Sequence, residues 1–279
     1  MLLQVLVVAF LNEINRDGEI FVENIDKSWL KEDSRKCKIE ELKRLKRDIT
    51  DCSAAYMDIF NGAPFFESWD LDSALKVVKS YVDEDAIMLS AKCREQIIGF
   101  LVAIDGVPEN QRQYVQFLEN IKFIEEIGVL YQFRKNGIAS EMVRILLLKY
   151  LKQSDRYLGY RTNAMRYFEY DDSESFESAV MRVQNDDMIK RANGEKIVIP
   201  DFSFGDKQTF INKYIELIKN RPDLDVSNSN NLFRKLFGTL DYSEIDGDYS
   251  FQKDPTGEGN DRIFPVIDLS KTLHFSKRR

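Results

Sequence analysis

The most constraining feature of the sequence is a short polar turn between two long apolar segments. Residues 122–130 read KFIEEIGVL, residues 138–152 read IASEMVRILLLKYLK, and the intervening turn contains RKNG at 134–137. The first segment is typical of a buried strand, and the second of a helix that is apolar nearly all round. A helix that starts at such a turn presents its first backbone N–H groups and the positive end of its dipole. We therefore predict a backbone site for a phosphate at residues 134–139.

Helices are predicted before this unit. Apolar residues recur at helical spacing in residues 49–60 and again in residues 71–82. Asn61 and Gly62 are expected to end the first helix, and Asp70 to cap the second. The charged residues 31–48, in contrast, are predicted to form a solvated surface helix without a function of its own.

Strands and further helices complete the predicted order. Two short apolar runs separated by the polar residues CRE are typical of a hairpin. The later elements are less regular, and no internal repeat or low-complexity linker is present. The predicted strands are residues 86–92, 96–104, 156–163, 194–204 and 263–275, and the predicted later helices are residues 207–220 and one that starts near residue 227.

Composition limits the classes of partner. The chain has 279 residues, 43% of them hydrophobic, which is enough for one large domain or two small ones. The net charge of −7 argues against nucleic acid as a partner. The single His274 makes a histidine-based metal site improbable, so no metal is expected. The apolar start, MLLQVLVVAFL, is too short to cross a membrane and lacks the flanks of a signal peptide, so we expect a core element.

The cysteines predict a reducing compartment. Cys37, Cys52 and Cys93 are widely spaced, and no CxxC motif is present. Three cysteines cannot all pair, so we expect reduced thiols in a cytoplasmic protein.

The order of elements in residues 49–163, together with V-L-Y-Q-F-R-K-N-G-I-A, resembles the GNAT superfamily of acyl-CoA-dependent N-acetyltransferases. The signature of that family is Arg/Gln-x-x-Gly-x-Gly/Ala, and Arg134, Gly137 and Ala139 match it. Val129 matches the valine at the strand end. The resemblance implies an α/β (α+β) fold: a mixed central sheet, splayed between its fourth and fifth strands, flanked by helices, with extra N-terminal and C-terminal segments.

The resemblance also implies a division of the chain. Residues 1–48 would be an extension packed on the core, and residues 49–163 the GNAT core with the acetyl-CoA site. Residues 164–279 would contain an insertion and the closing strands. The segment FNGAPFFESWDLDSALKVV at 60–78 resembles the region where the acceptor of this family binds.

Acetyl-CoA is the implied co-substrate, with its pyrophosphate on the amides of residues 134–139. A small or absent side chain lets the backbone approach a phosphate, which suits Gly137 and Ala139, while Arg134 and Lys135 add positive charge. An ordinary tight turn with exposed side chains is the alternative. The residues expected to contact the cofactor are Val129, Leu130, Arg134, Lys135, Asn136, Gly137, Ile138, Ala139 and Asn163.

A carboxylate on the central strand is the candidate general base, because an amine must lose a proton before it attacks a thioester. Glu125 and Glu126 are adjacent and should face opposite sides of the strand. We favour Glu126 from its position in the similar antibiotic-modifying enzymes. The alternative is that both are ordinary strand residues. The backbone N–H of Val129 or Leu130 would stabilise the oxyanion.

The general acid for the thiolate is the least defined residue. In the family a tyrosine lies seven residues after an asparagine, and Asn163 and Tyr170 have this spacing. Alternatively, an insertion separates the fifth strand from the next family helix, in which case Phe233 replaces the tyrosine and the acid is lost. Tyr167 is a further candidate.

Two functions follow from the resemblance. The first is transfer of an acetyl group from acetyl-CoA to an amine of a small molecule or protein. The second is a non-catalytic acyl-CoA-binding sensor or interaction domain on the same fold. Neither nucleic acid nor a membrane is an expected partner, and a homodimer is possible.

Overall fold

The computed structural model describes residues 37–42, 45–62, 67–115, 119–171, 173–193, 204–238, 240–253 and 261–271. The apolar N-terminal segment, residues 194–203 of the strand predicted over residues 194–204, and His274 lie outside these ranges, while Phe204 begins a helix. The chain divides into two compact units. The first comprises Met1–Gly106, Asn120–Leu158 and Asp268–Arg279, and the second comprises Val107–Glu119 and Gly159–Ile267.

The first unit is a mixed sheet flanked by helices. Its strands lie in the order β1-β2-β3-β4-β5. The pairs from β1 to β4 are antiparallel, and β5 runs parallel to β4. The predicted α/β fold with a mixed sheet is therefore confirmed. The elements are β1 Cys37–Glu41, α1 Lys46–Asn61, α2 Leu71–Asp83, β2 Ile87–Cys93, β3 Gln96–Asp105, β4 Ile121–Val129, α3 Ile138–Tyr150 and β5 Tyr157–Tyr160.

The helices begin and end where the sequence indicates. Helix α1 ends at Asn61, as predicted from the Asn-Gly pair. Helix α2 begins after Asp70, whose carboxylate accepts a hydrogen bond of 2.7 Å from the backbone N–H of Ser73. The backbone N–H and the hydroxyl of Ser73 stabilise the ionised carboxylate and so lower the pKa of Asp70. The predicted hairpin is formed by β2 and β3, and α3 is largely buried.

Residues 37–41 are a strand and not part of the predicted surface helix. Strand β1 pairs with β2 along its full length, with Cys37 opposite Cys93 and Glu41 opposite Leu89. The Lys-rich and Glu-rich composition favours a helix locally. Pairing with the edge of the sheet overrides that preference, and the charged residues suit an edge strand.

The prediction of three reduced thiols is wrong for two of the cysteines. Cys37 and Cys93 face each other across β1 and β2 and are joined by a disulfide. Only Cys52 is a free thiol among the described residues. It is buried in α1, and this burial raises its pKa to about 12. The pairing was not visible in the sequence because it depends on the register of two strands.

The second unit consists of helices and short strands. The end of β5 is followed in the sheet by β12 (Pro265–Asp268) and then β7 (Asp241–Tyr242), and these two strands are antiparallel. The order β10-β11-β6 forms a small sheet, and β8 and β9 form a hairpin. The elements are β6 Thr162–Asn163, α4 Phe176–Ala192, α5 Phe204–Asn220, α6 Asn228–Phe237, β7 Asp241–Tyr242, β8 Glu244–Ile245, β9 Asp248–Tyr249, β10 Phe251–Gln252, β11 Arg262–Ile263 and β12 Pro265–Asp268.

The sequence anticipates only part of this second unit. Helices α5 and α6 are confirmed. The single strand predicted over residues 263–275 is wrong in its described part, which is divided into β11 and β12 and becomes helical at residues 269–271. Helix α4 was not predicted, because residues 176–192 are mostly polar. In neither unit do the described residues include a helix with the length and apolar character needed to cross a bilayer.

Candidate active site

The turn between β4 and α3 has a backbone conformation suited to an anion. A short 3-10 turn at Tyr131–Phe133 leads to Arg134. The φ angle is positive at Lys135 (64°) and at Gly137 (80°) but not at Asn136 between them. Alternation between left-handed and right-handed backbone turns successive N–H groups toward one concave side, which is the geometry of an anion-binding nest. The predicted phosphate segment therefore has a physical basis in its backbone.

Gly137 is the residue from which α3 starts. Its left-handed conformation favours glycine, and no side chain caps the helix there. Among the described residues, no atom lies within 4 Å of the position that a Cβ would occupy. Gly137 is therefore required by its φ angle and not by crowding, and its exposed backbone is accessible. The first N–H groups of α3 thus have no side-chain acceptor at the cap position.

The side chains of the turn hold it in place. The Nε of Arg134 donates to the carbonyl oxygen of Val129 at 2.8 Å, and its guanidinium lies 5.6 Å from the ring centre of Tyr131. Partial burial lowers the pKa of Arg134. The Nδ2 of Asn136 donates to the carbonyl oxygens of Phe133 and Arg134, each at 3.2 Å. Both side chains thus position the backbone, and their contact with a phosphate stays a prediction.

The remaining turn residues differ in exposure. Lys135 is exposed, whereas Ile138 is buried and Ala139 is half-buried. The first helical hydrogen bond of α3 joins the N–H of Glu141 to the carbonyl oxygen of Gly137 at 2.9 Å. Ile138 therefore anchors the helix start in the core, while its neighbours Lys135 and Gly137 remain on the surface.

The two candidate oxyanion donors at the end of β4 are not equivalent. The N–H of Leu130 donates to the carbonyl oxygen of Ile98 on β3 at 2.9 Å. In an extended strand the N–H groups of successive residues point to opposite edges. The N–H of Val129 therefore points away from β3 and toward the edge shared with β5. This geometry favours Val129 over Leu130.

A β-bulge lies at the two candidate glutamates. Val102 on β3 pairs with Glu126, but the next residue, Ala103, pairs with Ile124. Glu125 is therefore the extra residue on β4, and strict alternation of faces does not hold through it. Glu125 is buried, with 7% of its surface exposed, whereas Glu126 is half-buried.

Glu126 lies on the face of the sheet that α1 and α2 cover. The hydroxyl of Tyr81 on α2 lies 3.4 Å from Oε1 of Glu126, at the long end of a hydrogen bond. Two residues later on the same side of β4, a Cβ at Gly128 would meet Ile59 of α1 at 2.8 Å. Glu126 therefore lies beside the helices that the resemblance assigns to the acceptor.

The predicted residues Asn163 and Tyr170 belong to the second unit. Asn163 lies on β6 and pairs with Arg262 of β11. The hydroxyl oxygen of Tyr170 accepts a hydrogen bond from Nζ of Lys213 at 2.6 Å, and its ring packs against Phe176. A phenol beside an ammonium group is chemically suited to proton exchange, but the role of Tyr170 as general acid stays a prediction.

The alternative position for the acid lies on α6. Phe233 is fully buried and its ring stacks on Tyr160 at 4.1 Å between ring centres. Helices α4 and α5 lie between β5 and α6 in the chain, and the insertion suggested by the resemblance stays a prediction. Tyr167, the further candidate, packs on Phe210, and burial raises its pKa.

Sequence reasoning did not single out Tyr81. It lies three residues after Val78 on the buried face of α2, so helical spacing was a usable signal. Its contact with Glu126 needs the pairing of distant segments, which the sequence does not display.

Comparison with known proteins gives structural likeness only. No family model matches the chain, and no curated protein matches it. Among solved structures, the chain is similar to a GNAT-family protein from Desulfovibrio desulfuricans, with 10% identity, a TM-score of 0.42, and coverage of 84% of this chain and 99% of that one.

Two further solved structures are also similar. One is a ribosomal-protein-alanine N-acetyltransferase from Brucella melitensis, with 12% identity, a TM-score of 0.43, and coverage of 82% of this chain and 98% of that one. The other is an aminoglycoside 6'-N-acetyltransferase complexed with coenzyme A, with 14% identity, a TM-score of 0.42, and coverage of 83% and 96%. The likeness to these solved structures is low in both identity and TM-score. At these values it assigns no acceptor, cofactor or catalytic residue to this chain.

Proposed function

We propose that this chain is an N-acetyltransferase of the GNAT superfamily that transfers an acetyl group from acetyl-CoA to an amine. The observation that carries the proposal is the turn at residues 134–137, where positive φ angles at Lys135 and Gly137 precede an uncapped helix. This turn follows directly from the strand that bears Glu126. A phosphate-binding backbone and a candidate base thus belong to one continuous segment.

The residues of the turn fit the pyrophosphate of coenzyme A. The N–H groups of residues 135–139 supply donors, and the dipole of α3 favours negative charge at its start. The N–H of Arg134 instead donates to the carbonyl oxygen of Tyr131 at 3.2 Å. Lys135 is exposed and adds a cation beside the phosphates. Arg134 holds the turn through the carbonyl oxygen of Val129. The bound thioester would supply an activated acetyl group.

The chain's own residues perform the remaining steps. An alkylamine has a pKa of about 10.4 and is mostly protonated at neutral pH, so Glu126 accepts the proton that the amine must lose. The amine nitrogen then bonds to the thioester carbonyl carbon, and the N–H of Val129 stabilises the oxyanion. The C–S bond breaks, and Tyr170 donates a proton to the departing thiolate. The nitrogen then loses the extra proton that it kept from the neutral amine, which restores the phenol of Tyr170, and Asn163 serves as a cofactor contact.

Release of free thiol from acetyl-CoA in the presence of a panel of amines tests the proposal. We expect amine-dependent thiol release and formation of the N-acetyl product, detected by mass spectrometry. Coenzyme A binding measured by calorimetry separates the alternatives. Binding without turnover across the panel would favour the acyl-CoA-binding domain, and absence of binding would overturn the cofactor assignment.

A further inference from the structure

The disulfide between Cys37 and Cys93 lies at one end of an edge strand. Strand β1 comes first in the order β1-β2-β3-β4-β5, so among the described strands only β2 pairs with it. Cys37 is the first residue of β1 and Cys93 is the last residue of β2. The bond therefore joins the two strands at a corner of the sheet. Because an edge strand is held by a single ladder of hydrogen bonds, a covalent link at its end limits how far it can separate from the sheet.

The two bonded cysteines differ in exposure. Cys37 is buried, with 7% of its surface exposed. Cys93 is half-buried, and it is followed by the exposed residues Arg94 and Glu95 of the turn between β2 and β3. Thiol–disulfide exchange depends on access to the sulfur that is attacked, and the positive charge of Arg94 favours an anionic attacking group. An external thiolate is therefore expected to attack the sulfur of Cys93.

The bond also closes a long loop. Cys37 and Cys93 are 56 residues apart in the chain, and the loop between them contains both α1 and α2. Cross-linking a loop removes conformational freedom from the unfolded chain, and the stabilisation grows with loop length. The redox state of the pair is therefore expected to affect the stability of this whole segment.

Other contacts hold the opposite end of β1. The Oε2 of Glu41 accepts a hydrogen bond of 2.8 Å from the hydroxyl of Tyr150 on α3. The N–H of Leu42 donates to the carbonyl oxygen of Met88 on β2, also at 2.8 Å. Neither contact involves a sulfur atom, so both persist when the disulfide is reduced. Reduction is thus expected to loosen β1 from the end that contains Cys37.

A lysine beside the disulfide connects β1 to α1. The Nζ of Lys92 lies 3.0 Å from Oε1 of Glu40 on β1 and 3.2 Å from Oδ1 of Asp48 in the first turn of α1. Because Lys92 directly precedes Cys93 and Glu40 belongs to the strand that is loosened, reduction is expected to weaken this bridge as well. The effect should then extend to the start of α1.

We propose that Cys37 and Cys93 form a reversible redox site, which exchanges with low-molecular-weight thiols of the glutathione class and determines how firmly β1 is attached to the sheet. This inference does not depend on the proposed function. A thiolate bonds to the sulfur of Cys93, the bond between the cysteines breaks, and the sulfur of Cys37 takes the electron pair and a proton. A second thiolate bonds to the outer sulfur of this mixed disulfide, and Cys93 leaves as a thiolate that takes up a proton. Two external thiols are oxidised to one disulfide, and the protein gains two electrons and two protons.

Buffers with a range of ratios of reduced to oxidised glutathione test the exchange. Alkylation under denaturing conditions followed by mass spectrometry counts the thiols, and we expect one thiol in the oxidised chain and three in the reduced chain. Brief treatment of the native protein with reduced glutathione should give a mixed disulfide on Cys93. A bond that glutathione reduces only after the protein unfolds would overturn the proposal. So would a native protein that keeps three thiols in oxidised glutathione.

Hydrogen exchange measured by mass spectrometry tests the attachment of β1. We expect the amides of residues 38–40 to exchange at least about 10-fold faster in the reduced protein, because β1 opens more often. Residues 98–102 of β3 lie inside the sheet and serve as the internal control. The Tm should fall by about 5 °C or more on reduction, since the cross-link no longer restricts the unfolded chain.

Variants separate this pair from the third cysteine. The double variant Cys37→Ser with Cys93→Ser should behave like the reduced wild type in both buffers. Cys52→Ala is the control, because Cys52 is buried and has a pKa of about 12, and its response to glutathione should equal that of the wild type. If the double variant does not fold, the comparison of oxidised with reduced wild type decides alone. Equal exchange of residues 38–40 in the two redox states, or a response to glutathione in the double variant, would reject the proposal.

Discussion

Two helices of this protein begin in opposite ways. Helix α3 starts after Gly137, which has no capping side chain and a positive φ angle. Helix α6 starts after Ser227, whose hydroxyl accepts a hydrogen bond of 3.0 Å from the N–H of Asn230. Ser227 and Asn230 are both buried, whereas Gly137 is exposed.

The polar groups around the start of α6 form hydrogen bonds and an ion pair with one another. Asp225 accepts from the N–H of Ser227 at 2.9 Å and pairs with Nη1 of Arg234 at 2.7 Å. The amide of Asn230 donates to Asp225 at 2.8 Å and accepts from the hydroxyl of Tyr160 at 2.8 Å. The polar groups named here therefore have partners, and the burial of this network suits a structural role.

The difference teaches how a helix start becomes a ligand site. The dipole and the unpaired N–H groups are general properties of helix N-termini. At α6 the hydroxyl of Ser227 accepts from one of those donors, the N–H of Asn230, and Asp225 accepts from the N–H of Ser227 itself. At α3 no side chain occupies the cap position, which is held by Gly137. A phosphate is therefore expected at α3 and not at α6, although both helices have the same intrinsic polarity.

The largest expected effect is a loss in the free energy of unfolding when the buried polar network at the start of α6 is disrupted. Asp225→Ala removes the acidic partner of a buried ion pair and leaves the guanidinium of Arg234 without that carboxylate. Such changes destabilise by about 3–5 kcal/mol. Chemical denaturation should show this loss in the free energy of unfolding. Asp223→Ala is the control, because Asp223 is exposed, and it should change the free energy by less than about 0.5 kcal/mol. Equal effects of the two changes would show that the network does not stabilise the start of α6.

The next largest effect is expected on catalysis, from a change on β4, the strand that precedes α3. Glu126→Gln keeps the size of the side chain and removes the proton acceptor. We expect kcat/KM to fall by about 100-fold at neutral pH. The loss should shrink as pH rises, because more of the acceptor amine is already neutral. The affinity for coenzyme A, measured by calorimetry, should hardly change.

The bulge provides the comparison for this variant. Glu125→Gln changes the neighbouring buried residue, and it should lower activity less than Glu126→Gln. A loss that is constant with pH would indicate positioning of the acceptor and not proton transfer. Full activity in Glu126→Gln together with inactive Glu125→Gln would reverse the assignment of the two glutamates.

A smaller effect, on the affinity for coenzyme A, is expected from a change at the start of α3, where no side chain caps the helix. Gly137→Asp places a negative charge and a Cβ where the phosphate should approach. We expect the affinity for coenzyme A to fall by at least ~10-fold, or about 1.4 kcal/mol. Gly106→Asp is a matched control, since Gly106 also has a positive φ angle and open space around its Cβ position. Unchanged affinity in a folded Gly137→Asp protein would refute the site at α3.

Local signals in the sequence were sufficient for the parts that depend on neighbours in the chain. The strand, turn and helix around Gly137 follow from apolar runs and one glycine, and Asp70 follows from its position before an amphipathic helix. Strand β1 was not predictable, because it forms only by pairing with β2 from Cys37 to Glu41. Helix α4 gave little periodic signal, since its charged residues outnumber its buried ones.

The candidate site likewise contains features that depend on neighbours in the chain and features that depend on distant segments. The turn at residues 134–137 is a local structure, so the sequence was sufficient to predict its position before α3, while binding of an anion there stays a prediction. The bulge at Glu125 and the contact of Tyr81 with Glu126 both join segments that are distant in the chain. Such contacts depend on strand register and helix packing, which a single sequence does not display.

The smallest expected effect addresses the cap that distinguishes the two helices. Ser227→Ala removes the hydroxyl that accepts from the N–H of Asn230, and loss of such a cap costs about 1 kcal/mol. The N–H of Asn230 is buried, so water cannot easily replace the lost acceptor, and the cost should not fall below that value. Ser227→Thr retains the hydroxyl and should restore most of the free energy of unfolding. If Ser227→Ala is as stable as the wild type, the cap contributes nothing, and the contrast between α3 and α6 would rest on Asp225 alone.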